Sequence, residues 1–170
     1  MKNADNSDRA LWSIWACKET AYKVIKKTSP DAAFTPRRWR TVLKKNQSAY
    51  SEGDVIIPDR GRVYVRLFYT PEYVHCIGVN NFAEVKKLIW NVESLPQEKE
   101  TDPSVFLRCR LEKKLAQNLS VNAHQIQIRR ISICGELQPP CVYLDNKKTA
   151  IDVSMSHDGR FIAYVYSETC

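Results

Sequence analysis

The spacing of apolar residues predicts a long first helix. Ser7 or Asp8 can cap it, and helical periodicity continues to about Lys27. Glu19 shares one face of this helix with aromatic and basic side chains. These side chains are Trp12, Trp15, Tyr22, Lys23 and Lys26. We therefore expect Glu19 to lie within an apolar stripe and not on the solvated side.

Alternating and β-branched runs predict strands after this helix. Residues 55–57 and 63–69 form a predicted hairpin, because the Pro-Asp-Arg-Gly sequence between them has turn chemistry. Residues 34–40 are predicted to be an extended basic segment and 46–53 a loop. The remaining strand candidates are 73–79, the second half of 82–92, 126–133, 141–144, 151–155 and 161–166.

A second helix is predicted to begin after Asp102, with Pro103 in its first turn, and to end near Leu119. Its expected apolar residues are Val105, Phe106, Cys109, Leu111, Leu115 and Leu119. The order helix, strands, helix, strands predicts an α+β fold with a mostly antiparallel sheet and two main helices.

Length and composition favour a single globular domain over residues 1–170, with residues 1–7 disordered, because 170 residues at 44% hydrophobic content support one core. A net charge of +7 favours anionic partners. The six cysteines include no C-x-x-C pair, and no apolar leader is evident, so we expect reduced thiols in the cytoplasm. No apolar run approaches the roughly 18 residues of a membrane span.

Two groups of residues have the composition of a phosphate or metal site. In the first helix Glu19 lies between Lys18 and Lys23, and a buried carboxylate needs an ionic partner or a metal. The alternative is an ordinary surface ion pair between Glu19 and Lys23. Near the end of the chain, the residues Ser156 to Arg160 form a strand-turn-strand junction that suits a phosphate. The alternative there is a plain hairpin with a polar tip.

Together these two segments, W-x-x-K-E-T-x-x-K and S-M-S-H-D-G-R-F-I-A, resemble the 4'-phosphopantetheinyl transferase superfamily in its holo-acyl-carrier-protein-synthase order. The matching residues are Trp15, Lys18, Glu19, Lys23, Ser156 and His157, with Thr20 in place of the usual alanine. The resemblance implies the transferase fold and transfer of the 4'-phosphopantetheine arm of coenzyme A to a serine of an acyl or peptidyl carrier protein. Such a reaction uses magnesium and releases 3',5'-adenosine diphosphate, and its products serve fatty acid biosynthesis.

The resemblance also implies roles for the first-helix residues. Glu19 would be a magnesium ligand, since hard divalent cations prefer carboxylate and phosphate oxygens. Lys23 would lie beside the diphosphate and the attacking serine hydroxyl, as a charge stabiliser or a proton acceptor. Lys18 would contact a phosphate of coenzyme A.

The later segment would supply further contacts to coenzyme A. The resemblance implies that His157 contacts a phosphate and that Ser156 helps to position it. Arg160 and the basic residues 37–40 are phosphate-binding candidates on charge alone. An acidic carrier protein would be attracted to this basic chain.

One motif of the family, a G-x-D that supplies another metal ligand, is not found in the 18 residues before Glu19. The acid could come from another chain or from a segment outside this sequence, from a subunit interface of a homo-oligomer, or not at all. In the last case the protein would be a non-catalytic module that binds coenzyme A or a carrier protein. Nucleic-acid binding through the basic segment 37–40 and the basic helix around Lys113 and Lys114 is a third interpretation and rests on charge with an aromatic residue nearby.

Overall fold

The structure, a computed structural model, describes residues 2–44, 50–96 and 102–167, and describes side chains from Asp8 onward. The chain divides into two compact units, Met1–Lys86 and Lys87–Cys170. The expectation of a single phosphopantetheinyl transferase-like domain stays a prediction, because two compact units can make up one domain or two. None of the helices in the described ranges is long and apolar enough to cross a membrane.

The first unit consists of a helix, α1 (Lys2–Thr28), that packs on a four-stranded antiparallel sheet. The sheet order is β1-β2-β3-β4, and a short 3-10 helix, Pro36–Arg38, precedes β1. The strands are β1 (Arg40–Lys44), β2 (Tyr50–Ile57), β3 (Gly61–Tyr69) and β4 (Val74–Val79). The predicted β2–β3 hairpin is confirmed, and Gly61 at the end of its turn has a φ of 85°, which glycine adopts without steric cost.

Several boundaries in this unit differ from the predictions. Helix α1 begins at Lys2 and not at Ser7 or Asp8, whereas its end near Lys27 is confirmed. The predicted disorder of residues 1–7 lies outside what the structure describes, apart from the helical backbone of 2–7. Strand β1 was not predicted, and the predicted loop 46–53 is wrong from Tyr50 onward, where β2 begins. Residues 46–49 lie outside the described ranges.

The core-facing side of α1 is the opposite of the one predicted. Residues spaced by four face the sheet and are buried, namely Ser13, Cys17, Ala21 and Ile25. Trp12 and Trp15 are 57% and 46% exposed, so the face that they share with Glu19 points away from the sheet. Small side chains allow α1 and β4 to approach each other closely. The approach is so close that a Cβ added to Gly78 of β4 would lie 2.8 Å from Thr20 Cγ2. The prediction that Glu19 lies in the apolar stripe is therefore wrong.

An aromatic cluster holds the segment after α1 against the helix. The ring of Phe34 lies 5.6 Å from that of Trp15, 5.1 Å from that of Tyr22 and 5.5 Å from that of Trp39. Trp39 is only 4% exposed. The segment was predicted to be extended, and the 3-10 helix within it corrects that prediction.

The second unit packs a helix, α2 (Pro103–Leu119), on a five-stranded antiparallel sheet with the order β5-β11-β10-β9-β6. A separate two-stranded hairpin, β7–β8, completes it. The strands are β5 (Ile89–Ser94), β6 (Ile126–Arg129), β7 (Ser132–Ile133), β8 (Glu136–Leu137), β9 (Cys141–Leu144), β10 (Lys147–Asp158) and β11 (Phe161–Ser167). An α+β fold with antiparallel sheets is thus confirmed.

Helix α2 begins and ends where the sequence predicts. The Asp102 side chain accepts hydrogen bonds from the backbone N–H groups of Ser104 and Val105, which caps the helix. Its inward face differs from the prediction, because Leu107 is buried with Leu111 and Leu115, whereas Val105 and Cys109 are exposed. The buried residues follow a spacing of four, and the two exposed ones lie off that row.

The two buried cysteines of the first unit join α1 to β4. The sulfur atoms of Cys17 and Cys76 lie 3.8 Å apart, and both residues are free thiols. Burial raises the pKa of the Cys76 thiol well above its usual value. These two cysteines act as small apolar residues of the first core.

Candidate functional site

The motif residues of α1 lie on the side of the helix that points away from the first sheet. Glu19 Oε1 lies 2.8 Å from Lys23 Nζ, one helical turn away, and the two side chains are 44% and 32% exposed. This is the surface ion pair that the sequence left open as the alternative. The Glu19 carboxylate is accessible to a ligand without any change in the core.

Lys18 and Thr20 make contacts within the first unit. Lys18 Nζ donates a hydrogen bond to the Pro36 carbonyl oxygen over 2.7 Å, which fixes the 3-10 helix against α1. Thr20 Oγ1 donates to the Cys76 carbonyl oxygen over 3.1 Å. This hydrogen bond of Thr20 attaches α1 to β4. Lys18 retains two further N–H donors for a ligand.

His75 on β4 is a neighbour of the motif that the sequence did not identify. Burial lowers its pKa from 6.5 to about 4, and the positive charge of Lys23 contributes to the same shift. The imidazole is therefore neutral near pH 7. A lone histidine in a strand carries no sequence signal of this kind, because the shift arises from tertiary burial.

The carboxylate of Glu19 can serve as one ligand of Mg²⁺. Magnesium is commonly held by one or two carboxylates together with phosphate oxygens of a substrate and water. Within residues 2–44, 50–96 and 102–167, no three His, Cys, Asp or Glu side chains are grouped so that they could hold a metal ion. Glu19 thus fits an ion whose remaining ligands belong mainly to a bound diphosphate, and Lys23 would then share or release Oε1.

The predicted serine-histidine pair lies in the second unit, at the end of β10. Strand β10 extends to Asp158, so His157 is a strand residue that pairs with Ile162 of β11, and the turn consists of Gly159 and Arg160. Successive strand residues point to opposite faces of a sheet. Ser156 therefore points away from the face on which His157 lies, and the two side chains are not brought together.

The face of His157 is the one covered by α2. His157 Nε2 lies 3.1 Å from Ser104 Oγ in the first turn of that helix. Ser104 was not identified from the sequence, because a serine after a helix-capping Asp-Pro has an ordinary helix-start role. Arg160 is exposed, and its guanidinium carbon lies 5.1 Å from the Phe161 ring centroid.

The predicted site residues thus form two groups, one in each unit. Lys18, Glu19 and Lys23 lie within two turns of α1. Ser156, His157 and Arg160 lie at the β10–β11 connection. The basic residues of the segment 37–40 are exposed around the buried ring of Trp39.

Comparison of the chain with protein-family models, curated proteins and solved structures finds no match. Activity, cofactor and partner are therefore proposed from the residues themselves.

Proposed function

We propose that the protein is a cytoplasmic 4'-phosphopantetheinyl transferase with the fold of that superfamily. The observation that carries the proposal is the pairing of Glu19 with Lys23 at partly exposed positions of α1, on the side opposite the buried residues that face the sheet. Core packing does not require these two side chains at those positions. A ligand-binding role explains why they occur there within the W-x-x-K-E-T-x-x-K pattern.

The proposed reaction moves the phosphopantetheine arm of coenzyme A to a carrier-protein serine. The serine oxygen forms a bond to the phosphorus that bears the arm as the serine hydroxyl gives its proton to Lys23 or to water, the bond from that phosphorus to the bridging oxygen breaks, and 3',5'-adenosine diphosphate leaves. Bound Mg²⁺ would neutralise negative charge on the diphosphate. Lys23 would lie beside the diphosphate and the serine hydroxyl, where it can act as a charge stabiliser or as the acceptor of the serine proton.

The remaining residues are proposed to bind coenzyme A. Within the first unit, Lys18 would contact a phosphate. Within the second unit, taken by itself, His157 is the phosphate-binding candidate, with Ser156 and Arg160 as further candidates. The net charge of +7 would attract an acidic carrier protein, and such attraction raises association rates mainly at low salt.

Mass spectrometry tests the proposal directly. The full chain is incubated with Mg²⁺, coenzyme A and an apo acyl carrier protein, and the carrier is expected to gain the mass of one phosphopantetheine. Glu19→Gln is expected to lower the rate about 100-fold or more, in the range of a lost electrostatic contact in a transition state. Glu84→Gln removes an exposed carboxylate of the same unit and serves as the matched control. Wild-type protein that neither transfers the arm nor binds coenzyme A would refute the proposal.

The non-catalytic module is the alternative function. It follows from the sequence, in which no G-x-D motif lies in the 18 residues before Glu19 to supply another metal ligand. Calorimetric titration with coenzyme A distinguishes the two functions. Binding that is the same in Mg²⁺ and in EDTA, without transfer to any carrier tested, would support the module.

A further inference from the structure

Arg108 of α2 carries a polar group that the described part of the protein does not satisfy. Its Nε atom is buried and makes no hydrogen bond to the described residues. A buried N–H without an acceptor destabilises the fold, and does so more when the group is charged. An acceptor supplied from outside the chain would remove that destabilisation.

The position of Arg108 directs it towards Ser104 and His157. Arg108 follows Ser104 by four residues, so both lie on one face of α2. Side chains on a helix lean towards its N-terminus, so we expect the guanidinium of Arg108 on the side of the turn that contains Ser104. There, Ser104 Oγ lies 3.1 Å from His157 Nε2.

The carboxylates around this group have other partners. Asp102 accepts from the backbone of the first turn of α2, Glu112 accepts from the Ile128 N–H over 2.9 Å, and Glu93 lies 3.5 Å from Arg110. Asp158 follows His157 in β10 and so points to the other face of the sheet. None of these contacts involves Arg108. Asp102 is the acid closest along the chain, and its charge would weaken an anion nearby.

We infer that Ser104, Arg108 and His157 form a binding site for a phosphate group. A guanidinium donates paired hydrogen bonds to phosphate oxygens, and a hydroxyl and an imidazole N–H can donate to the remaining oxygens. The inference rests on the proposed function through His157, which would contact a coenzyme A phosphate. The phosphate could belong to such a nucleotide or be free phosphate, since the recognition chemistry is the same.

The histidine signals of the full chain provide the test. Protein labelled with ¹³C-histidine is titrated with inorganic phosphate, at ionic strength matched with chloride, and the Cε1–H signals are followed by NMR. His157 is expected to shift in a saturable manner with a Kd of about 1 mM, whereas His124 serves as the internal reference. Absence of a saturable shift of His157 up to about 50 mM phosphate would overturn the inference.

Variants of α2 assign the shift to the proposed residues. Arg108→Gln is expected to weaken phosphate binding about tenfold, and Ser104→Ala about threefold. Arg108→Lys keeps the charge and should retain intermediate affinity, which separates loss of the site from loss of the fold. Arg110→Gln is the matched control, because Arg110 is half exposed on the same helix. Equal affinity in wild type and Arg108→Gln would contradict the inference.

Titration with coenzyme A identifies the source of the phosphate. If coenzyme A shifts His157 and phosphate competes with it, the site serves the proposed function. If phosphate shifts His157 and coenzyme A does not, the phosphate site stands and the role of His157 in coenzyme A binding fails.

Discussion

Each unit places one long helix on an antiparallel sheet, but the two helices use their faces differently. Helix α2 buries the large side chains Leu107, Leu111 and Leu115. The fully buried residues of α1, Cys17 and Ala21, are small, and its tryptophans lie on the outside. Large buried side chains contribute more apolar area to a core, whereas small ones allow the backbones to approach closely.

This difference indicates where function is concentrated. On α1 the aromatic and charged residues of the motif are separated from the residues that hold the helix to its sheet. On α2 the inner face combines core leucines with Ser104 and Arg108 at its N-terminal end. Substitution of Glu19 or Lys23 should therefore affect function with little effect on folding, whereas substitution of the buried leucines of α2 should affect folding most.

The largest expected effect is at the core of α2. Leu111→Ala removes a fully buried side chain and should lower the free energy of unfolding by about 2–5 kcal/mol, because it leaves a cavity. Urea unfolding followed by circular dichroism measures this change. The control Leu137→Ala, at a residue that is 64% exposed, should change it by less than about 0.5 kcal/mol. Equal effects would contradict the assignment of the core.

Acid should destabilise the first unit through His75. Its pKa is about 4 in the folded protein and 6.5 ordinarily, so the unfolded chain binds the proton more tightly. The free energy of unfolding should be unaffected above pH 6.5 and should fall by up to about 3 kcal/mol as the pH drops from 6.5 to 4. Urea titrations across this range should show the loss in wild type and a smaller one in His75→Gln. Identical pH profiles would show that His75 is not the cause.

The close approach of α1 to β4 predicts an intermediate effect. Gly78→Ala would place a Cβ 2.8 Å from Thr20 Cγ2 and 3.1 Å from the Tyr64 carbonyl oxygen, and we expect a cost of about 1–3 kcal/mol. Thr20→Ser removes the methyl group, so the double variant should recover part of that cost. Thermal unfolding of wild type, the two single variants and the double variant measures this coupling. If the destabilisation of the double variant equals the sum of the two single ones, the two residues do not touch.

The smallest expected effect on stability is at the motif itself. Glu19→Gln breaks an ion pair whose members are 44% and 32% exposed, and such pairs contribute about 0–1 kcal/mol. Its midpoint in urea should therefore match that of wild type closely, so that any loss of transfer reports on the site. A stability loss of more than about 2 kcal/mol would show that this face of α1 is structural.

Local signals in the sequence were sufficient for much of the fold. The Asp102-Pro103 start of α2, the β2–β3 turn and the final β10–β11 pair all depend on residues close together in the chain. The buried face of α1 could not be predicted, because tryptophans usually mark a core and here the fit to β4 favours small residues. Strand β1 was missed because its Arg, Thr and Lys residues suit an exposed edge.

The candidate site was predictable only in part, because local patterns in the sequence identify some of its residues and tertiary contacts identify the others. Glu19, Lys23 and His157 are identified by local patterns. Ser104, His75 and Arg108 acquire their significance from contacts between elements distant in the chain, or from burial, and neither is visible in residue spacing.

The buried thiols of Cys17 and Cys76 allow the local unfolding of the first unit to be followed through the rate at which they are modified. A reagent that attacks thiolates can modify exposed Cys109 and Cys134 at once. The two sulfur atoms between α1 and β4 become reactive only when helix and sheet separate. The rate at which Cys17 and Cys76 are modified in native buffer would therefore report how often α1, the helix that carries Glu19, separates from the sheet. No added label is needed for this measurement.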